Sequence, residues 1–232
     1  MWSVNDINSM AASMLRGGRG FIARPGGGTA PAQPLELFDF EACPFCRKVR
    51  EILSELDLTY VARTCARGSA TREVLRGRGG KELFPYLVDP NTGQEMYESE
   101  DIVDYLLETY GGGARSAWRR TLGAPVSLGF GALASGLRRR GGRVRRARPE
   151  PLPERLVLYS FEASPFCRKV REVLCELDLD AEIRNVARGG RRRPELVARG
   201  GKMMVPYLID PNRGREMYES DDIIAYLDAT YG

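Results

Sequence analysis

The chain has 232 residues, 43% of them hydrophobic and 28% charged, with a formal net charge of +4. That length allows one large domain or two small ones, and the composition excludes a disordered or low-complexity protein. With no histidine and five cysteines, the residues of a zinc finger, a zinc hydrolase or a Ser-His-Asp hydrolase are lacking, and no apolar run approaches the ~18–20 residues of a membrane-spanning helix.

Residues 1–34 hold Arg16, Arg19 and Arg24 against Asp6, with scattered Ser and Ala and a Gly-Pro-rich tail. They read as a flexible leader or the remnant of an organelle transit peptide. No signal-peptide apolar core is present, so the cysteines are expected to be reduced or redox-active.

From Leu35 the pattern changes. LELFDF (35–40) alternates as a strand, ended by Glu41-Ala42-Cys43. Pro44 suits a first helical turn, and Val49, Ile52, Leu53 and Leu56 follow at helical spacing. Cys43 and Cys46 therefore fall at a helix N-terminus, where free backbone N–H groups and the helix dipole favour thiolate over thiol. Cys43 is the expected nucleophile, Cys46 can resolve a mixed disulfide formed on it, and Arg47 and Lys48 add positive charge within a turn. A zinc half-site is the bland alternative, and it needs two further ligands. No metal site is expected.

Tyr60–Cys65 reads as a second strand and Thr71–Arg78 as a short helix. FPYLVD (84–89), a turn over Asp89–Gly93 and Glu95–Tyr97 form a hairpin, and Ile102, Val103, Tyr105 and Leu106 mark a last helix ending at Gly111. Ser99 is a good N-cap for it, and Glu98 and Asp101 suit its positive end.

Residues 112–155 carry +9 of the charge, against +2 for 1–34, −6 for 35–111 and −1 for 156–232. Arg138, Arg139, Arg140, Arg143, Arg145, Arg146 and Arg148 lie among glycines before a stiff Pro149–Pro153 segment, which reads first as a solvated linker. With Trp118, Leu122, Val126, Leu128, Phe130 and Leu133 it could instead lie on an anionic membrane or a large complex. Nucleic-acid binding is not favoured, since both flanking regions are acidic.

Sliding the chain by 121 residues aligns Leu35–Gly111 with Leu156–Gly232 without a gap, with about 47 identities over roughly 77 positions. The repeat is a whole βαβαββα domain: 35–111 is one unit and 156–232 the other. EACPFCRKVRE (41–51) recurs as EASPFCRKVRE (162–172), differing only at Cys43 and Ser164. The second unit therefore lacks the nucleophile. Cys167, one turn into its helix, is expected to be partly buried, and Cys65 and Cys175 are expected as core thiols.

The CPFC segment resembles the glutaredoxin active site, and the whole unit resembles the N-terminal glutathione-binding domain of glutathione transferases. Both have the thioredoxin fold, so the resemblance implies an α/β protein of two tandem thioredoxin-like domains joined by a basic Gly/Arg/Pro-rich linker. It implies glutathione as cosubstrate, with Arg47 and Lys48 supporting the thiolate and glutathione's carboxylates. Phe84-Pro85-Tyr86 and Val205-Pro206-Tyr207 look like the family's cis-proline segment, whose amides meet the cysteinyl part of glutathione. Glu98-Ser99 and Glu219-Ser220 match the pair that binds its γ-glutamyl end. Ser164 would either activate a glutathione thiol or mark a degenerate site kept for structure, the latter being favoured. An iron–sulfur cluster is the less favoured cofactor, because the usual CGFS-type sequence is replaced by CPFC and SPFC.

The leading expectation is a glutathione-dependent thiol–disulfide oxidoreductase acting on disulfide-bearing proteins, with unit one active and unit two degenerate. The alternatives are a non-catalytic glutathione- or partner-binding scaffold and, third, a glutathione transferase, which would need the all-helical domain that supplies such enzymes with an electrophile pocket. The tandem form, leader and linker are similar to plant and algal plastid proteins, which points to the chloroplast, with the cytoplasm as the other option.

Overall fold

The computed structural model describes residues 19–24, 27–113 and 140–232. Unit one runs β1 (Leu35–Asp39), α1 (Pro44–Glu55), β2 (Tyr60–Thr64), α2 (Thr71–Gly79), β3 (Tyr86–Asp89), β4 (Gln94–Met96) and α3 (Ser99–Thr109). Unit two repeats it as β5 (Leu156–Ser160), α4 (Pro165–Glu176), β6 (Ala181–Asn185), α5 (Arg193–Gly200), β7 (Tyr207–Asp210), β8 (Arg215–Tyr218) and α6 (Ser220–Tyr231). The expected βαβαββα order holds in both. The alternation in LELFD puts Leu35 and Leu37 on one face of β1, against Val49, Ile52 and Leu53 of α1 and Ile102 and Leu106 of α3. Phe38 takes the other face, against Leu75 of α2. The sheet is thus covered on both faces, with β1 parallel to β2 and antiparallel to β3.

β2 would be an open edge if the unit stood alone. It pairs instead with β6, antiparallel, in the register Tyr60↔Ile183, Val61↔Glu182, Ala62↔Ala181. Because the repeat equates Val61 with Glu182, this register is self-complementary and places a local two-fold axis beside that pair. The result is one eight-stranded sheet, β4-β3-β1-β2-β6-β5-β7-β8. A continuous apolar core beneath it runs from Leu37 and Leu58 to Leu158 and Leu179.

The described parts of the segments ahead of each unit, 19–24, 27–34 and 140–155, make hydrogen bonds and ion pairs to the units. Ala23 N–H donates to Arg188 O at 2.9 Å, Gly28 N–H to Leu56 O and Thr29 N–H to Tyr110 O, both at 2.7 Å. Correspondingly, Arg67 N–H donates to Gly142 O at 2.9 Å and Val144 N–H to Arg67 O at 3.0 Å. Arg145 joins Glu176 at 2.5 Å and Asp228 at 2.7 Å. Gln33 N–H donates to Asn91 Oδ1, and Glu154 N–H to Asn212 Oδ1. The Ala23 and Gln33 contacts recur at Val144 and Glu154 with the same offset as the units, so the structural repeat reaches back beyond Leu35 and Leu156. Backbone groups make most of them, which is why side-chain identity did not reveal them. The apolar stretch from Trp118 to Leu133, Arg138 and Arg139 lie outside the described residues. Among the described residues no helix is long and apolar enough to cross a membrane.

Where α1 meets α4, the interior is charged. Arg47, Arg50, Arg168 and Arg171 are buried with Asp39, Glu41, Glu51, Glu162 and Glu172. Arg50 contacts Asp39 at 2.5 Å, Glu162 at 3.1 Å and Glu41 at 3.2 Å. Arg171 contacts Glu162 at 2.9 Å, Glu41 at 3.0 Å and, at 3.0 Å, Ser160 Oγ, the counterpart of Asp39. Four arginines thus face five carboxylates, and Asp39 is the odd one. Burial pushes Asp39 up from 3.8 to about 6 against the pull of Arg50, with Glu41 and Glu162 adding to the rise. A carboxyl whose folded pKa is raised favours folding while protonated and loses that contribution as pH climbs through the folded value. Asp39→Ser, which copies unit two, is therefore expected to gain stability relative to the parent by about 3 kcal/mol between pH 4 and 7. Urea titrations across that range check it, and a parent-to-variant difference that is flat with pH would refute it.

Candidate active site

Pro44 occupies the first turn of α1 and Cys43 is its N-cap, with φ −78 and ψ 118. A serine or aspartate would normally fill that role; here the Cys43 Sγ accepts the Cys46 N–H at 3.3 Å. Hydrogen bonding from the Cys46 thiol holds Cys43 below its ordinary value against the effect of burial, helped by the Cys46 N–H, Arg50 and the Phe45 N–H. Burial drives Cys46, Cys65 and Cys175 the other way. Cys43 itself is 4% exposed, beside Phe45, which is 43% exposed.

Two cations of the sequence reading part company. Lys48 pairs with Glu100 on the first turn of α3. Arg47 points away, with its Nε 3.5 Å from Glu51 and 3.7 Å from Glu162 of the other unit. The arginine whose charge helps Cys43 is Arg50, a turn further along. The reason is helical geometry: positions 47, 50, 51 and 54 share the face turned to the two-fold axis, whereas 48 faces α3.

The Phe84-Pro85 peptide bond is cis, with the Phe84 ring edge-on to Phe40 at 5.5 Å. The N-cap of α3 is Glu98 and not Ser99, which is the first helical residue. Glu98 sits at φ 65, ψ 113, and no side chain caps the helix. Glu98 therefore enters the helix in the left-handed region of φ, which non-glycine residues rarely adopt. A non-glycine residue there costs about 1–3 kcal/mol. Glu98→Gly is therefore expected to raise the unfolding free energy by about 1 kcal/mol. Denaturant melts test this, and a less stable glycine variant would sink the strain argument.

The family model for the glutathione S-transferase N-terminal domain matches residues 37–114 and again 158–232. The chain belongs to that family, as a tandem pair of its domains. A search of solved structures finds a chain from Leishmania titled "TDR1 - a unique trimeric glutathione transferase", 17% identical, covering 87% of this chain and 68% of that one with a TM-score of 0.30. No curated protein matches the sequence.

Within this glutathione S-transferase N-terminal-domain pair, unit two keeps the frame and has Ser164 where unit one has Cys43. The Val205-Pro206 bond is cis, Glu219 repeats the positive φ at 67, and Lys169 pairs with Asp221 on the first turn of α6. Ser164 Oγ accepts the Cys167 N–H at 3.2 Å, and Cys167 is fully buried. Among the described residues no group of three or more Cys, Asp or Glu side chains is placed to hold a metal ion. The sequence reading missed Asp39, Glu41 and Arg50. The signal available for them was a charged pair, Glu41 and Arg50, recurring unchanged as Glu162 and Arg171 beside a helix's apolar stripe.

Proposed function

We propose that unit one is a glutathione-dependent thiol–disulfide oxidoreductase. The observation that carries this reading is the geometry of the cysteine pair: the Cys43 Sγ stands at the N-cap of α1 and accepts the Cys46 N–H at 3.3 Å, an arrangement that favours a thiolate at Cys43. The Cys43 thiolate attacks the glutathione sulfur of a mixed disulfide. A Cys43–glutathione disulfide forms, the substrate sulfur leaves as a thiolate and takes a proton, and the substrate is reduced by two electrons. A second glutathione thiolate then attacks the glutathione sulfur, releasing Cys43 and oxidised glutathione; Cys46 is the alternative resolving thiol. Family membership supports glutathione as the partner. The uncapped N-terminus of α3 at Glu98-Ser99 fits a γ-glutamyl carboxylate, and the backbone at Phe84-Pro85 fits the cysteinyl part. Lys48 pairs with Glu100 on the first turn of α3, whereas Arg47 Nε lies near Glu51 and Glu162.

The test is reduction of a small glutathione mixed disulfide by the intact protein, with glutathione recycled by its reductase. Turnover dependent on glutathione supports the reading. Absence of turnover with Cys43 free and titratable would move the assignment to a glutathione- or partner-binding scaffold, which the near-complete burial of Cys43 favours.

A further inference from the structure

Unit two holds the loop that carries the unit-one nucleophile. Glu41 lies two residues ahead of Cys43, and its side chain is turned into the other unit. Arg171 Nε and Nη2 contact its two oxygens at 3.0 Å and 3.2 Å, and Arg168 Nε lies 3.5 Å away. Positions 168 and 171 lie on one face of α4. The connector closes over them: Gly141, at φ 72, has its Cα so close to Glu41 and Glu172 that an added Cβ would sit 2.9 Å from the Glu41 Cβ. Glu41 is thereby held from below by α4 and from above by the strap.

The reciprocal grip exists on Glu162, from Arg47, Arg50 and Ser54, with Gly20 as the cover. What unit two has changed is the chemistry, Ser160 for Asp39 and Ser164 for Cys43. What it has kept is Glu162, Arg168 and Arg171.

Resting on the oxidoreductase reading of Cys43, we propose that Arg171 of unit two is a positioning residue for the unit-one site, acting through Glu41 to fix the Glu41–Cys43 loop against the N-terminus of α1. The fork matters as well as the charge, because two planar N–H groups set the direction of the Glu41 carboxylate.

The experiment follows alkylation of the Cys43 peptide by iodoacetamide against pH in the full-length protein, read by mass spectrometry. Arg171→Met is expected to slow alkylation at pH 7 about tenfold and raise the midpoint by about one pH unit, and Arg171→Lys to recover part of the loss. The neutral pair Glu41→Gln/Arg171→Met leaves no unpaired charge at that contact, so it carries the test should Arg171→Met fail to fold. It is expected to keep the defect, because the loop is no longer gripped. A neutral-pair variant with parental circular dichroism and a parental Cys43 profile would overturn the proposal. Alkylation needs no turnover, so a parent inactive on mixed disulfides whose Cys43 profile still moves refutes the oxidoreductase reading alone. An active parent whose profile stays fixed in the variants refutes the positioning role alone.

Discussion

Cys43→Ser is expected to bring glutathione-coupled reduction of a mixed disulfide down to background, a loss on the order of 1,000-fold or more, because a hydroxyl forms no disulfide. Cys167→Ser should leave the rate unchanged, since that sulfur is buried a turn inside α4 and its N-cap is Ser164. The informative residue is Cys46. Its thiol is the foremost cause of Cys43's acidity, and burial drives its own pKa well up, so it is a better donor than nucleophile. Cys46→Ser keeps an O–H donor and should retain monothiol turnover. Cys46→Ala removes the donor and should slow the reaction roughly tenfold at pH 7, about the value of one lost hydrogen bond to a charged group. Equal rates for the serine and alanine variants would show that the donor has no role.

The sequence made the elements legible because each has a local cause. The alternation of LELFD, Pro44 after Cys43 and the glycine-ended helices all act within a few residues. The repeat made the domain count legible. The junction was hidden, because it depends on a pairing of strands, β2 with β6, that no local pattern announces. Arg47 shows the consequence: next to a cysteine pair, a cation reads as part of the redox site until its face of the helix is known to meet another helix. Ser99 shows another. It has the right chemistry for an N-cap, but the chain enters α3 through a left-handed residue at Glu98, which moves the cap back by one. The legible half of the site is therefore the half built from single helix termini, and the missed half is the half built across the two-fold axis.

That axis carries the largest expected loss of stability. Arg50 is 2% exposed and touches Asp39, Glu41 and Glu162. Its guanidinium also donates to the backbone oxygens of Phe40 and Glu41, both at 3.4 Å. Arg50→Met should destabilise the chain by about 3–5 kcal/mol, since it leaves buried carboxylates with too few partners. The cost arises from the uncompensated charges more than from the lost contacts, and this separates two models. If charge imbalance dominates, adding Asp39→Ser to Arg50→Met removes the carboxylate left without its arginine and should recover a substantial part of the loss. If contact geometry dominates, the second substitution should add its own cost. Urea denaturation of the parent, both single variants and the double variant at pH 7 closes the cycle. A double variant less stable than Arg50→Met would exclude the account of Asp39 as the odd charge. The same cycle predicts a wider gap between the single and double variants at pH 7 than at pH 4.5, where Asp39 is already protonated in the folded chain.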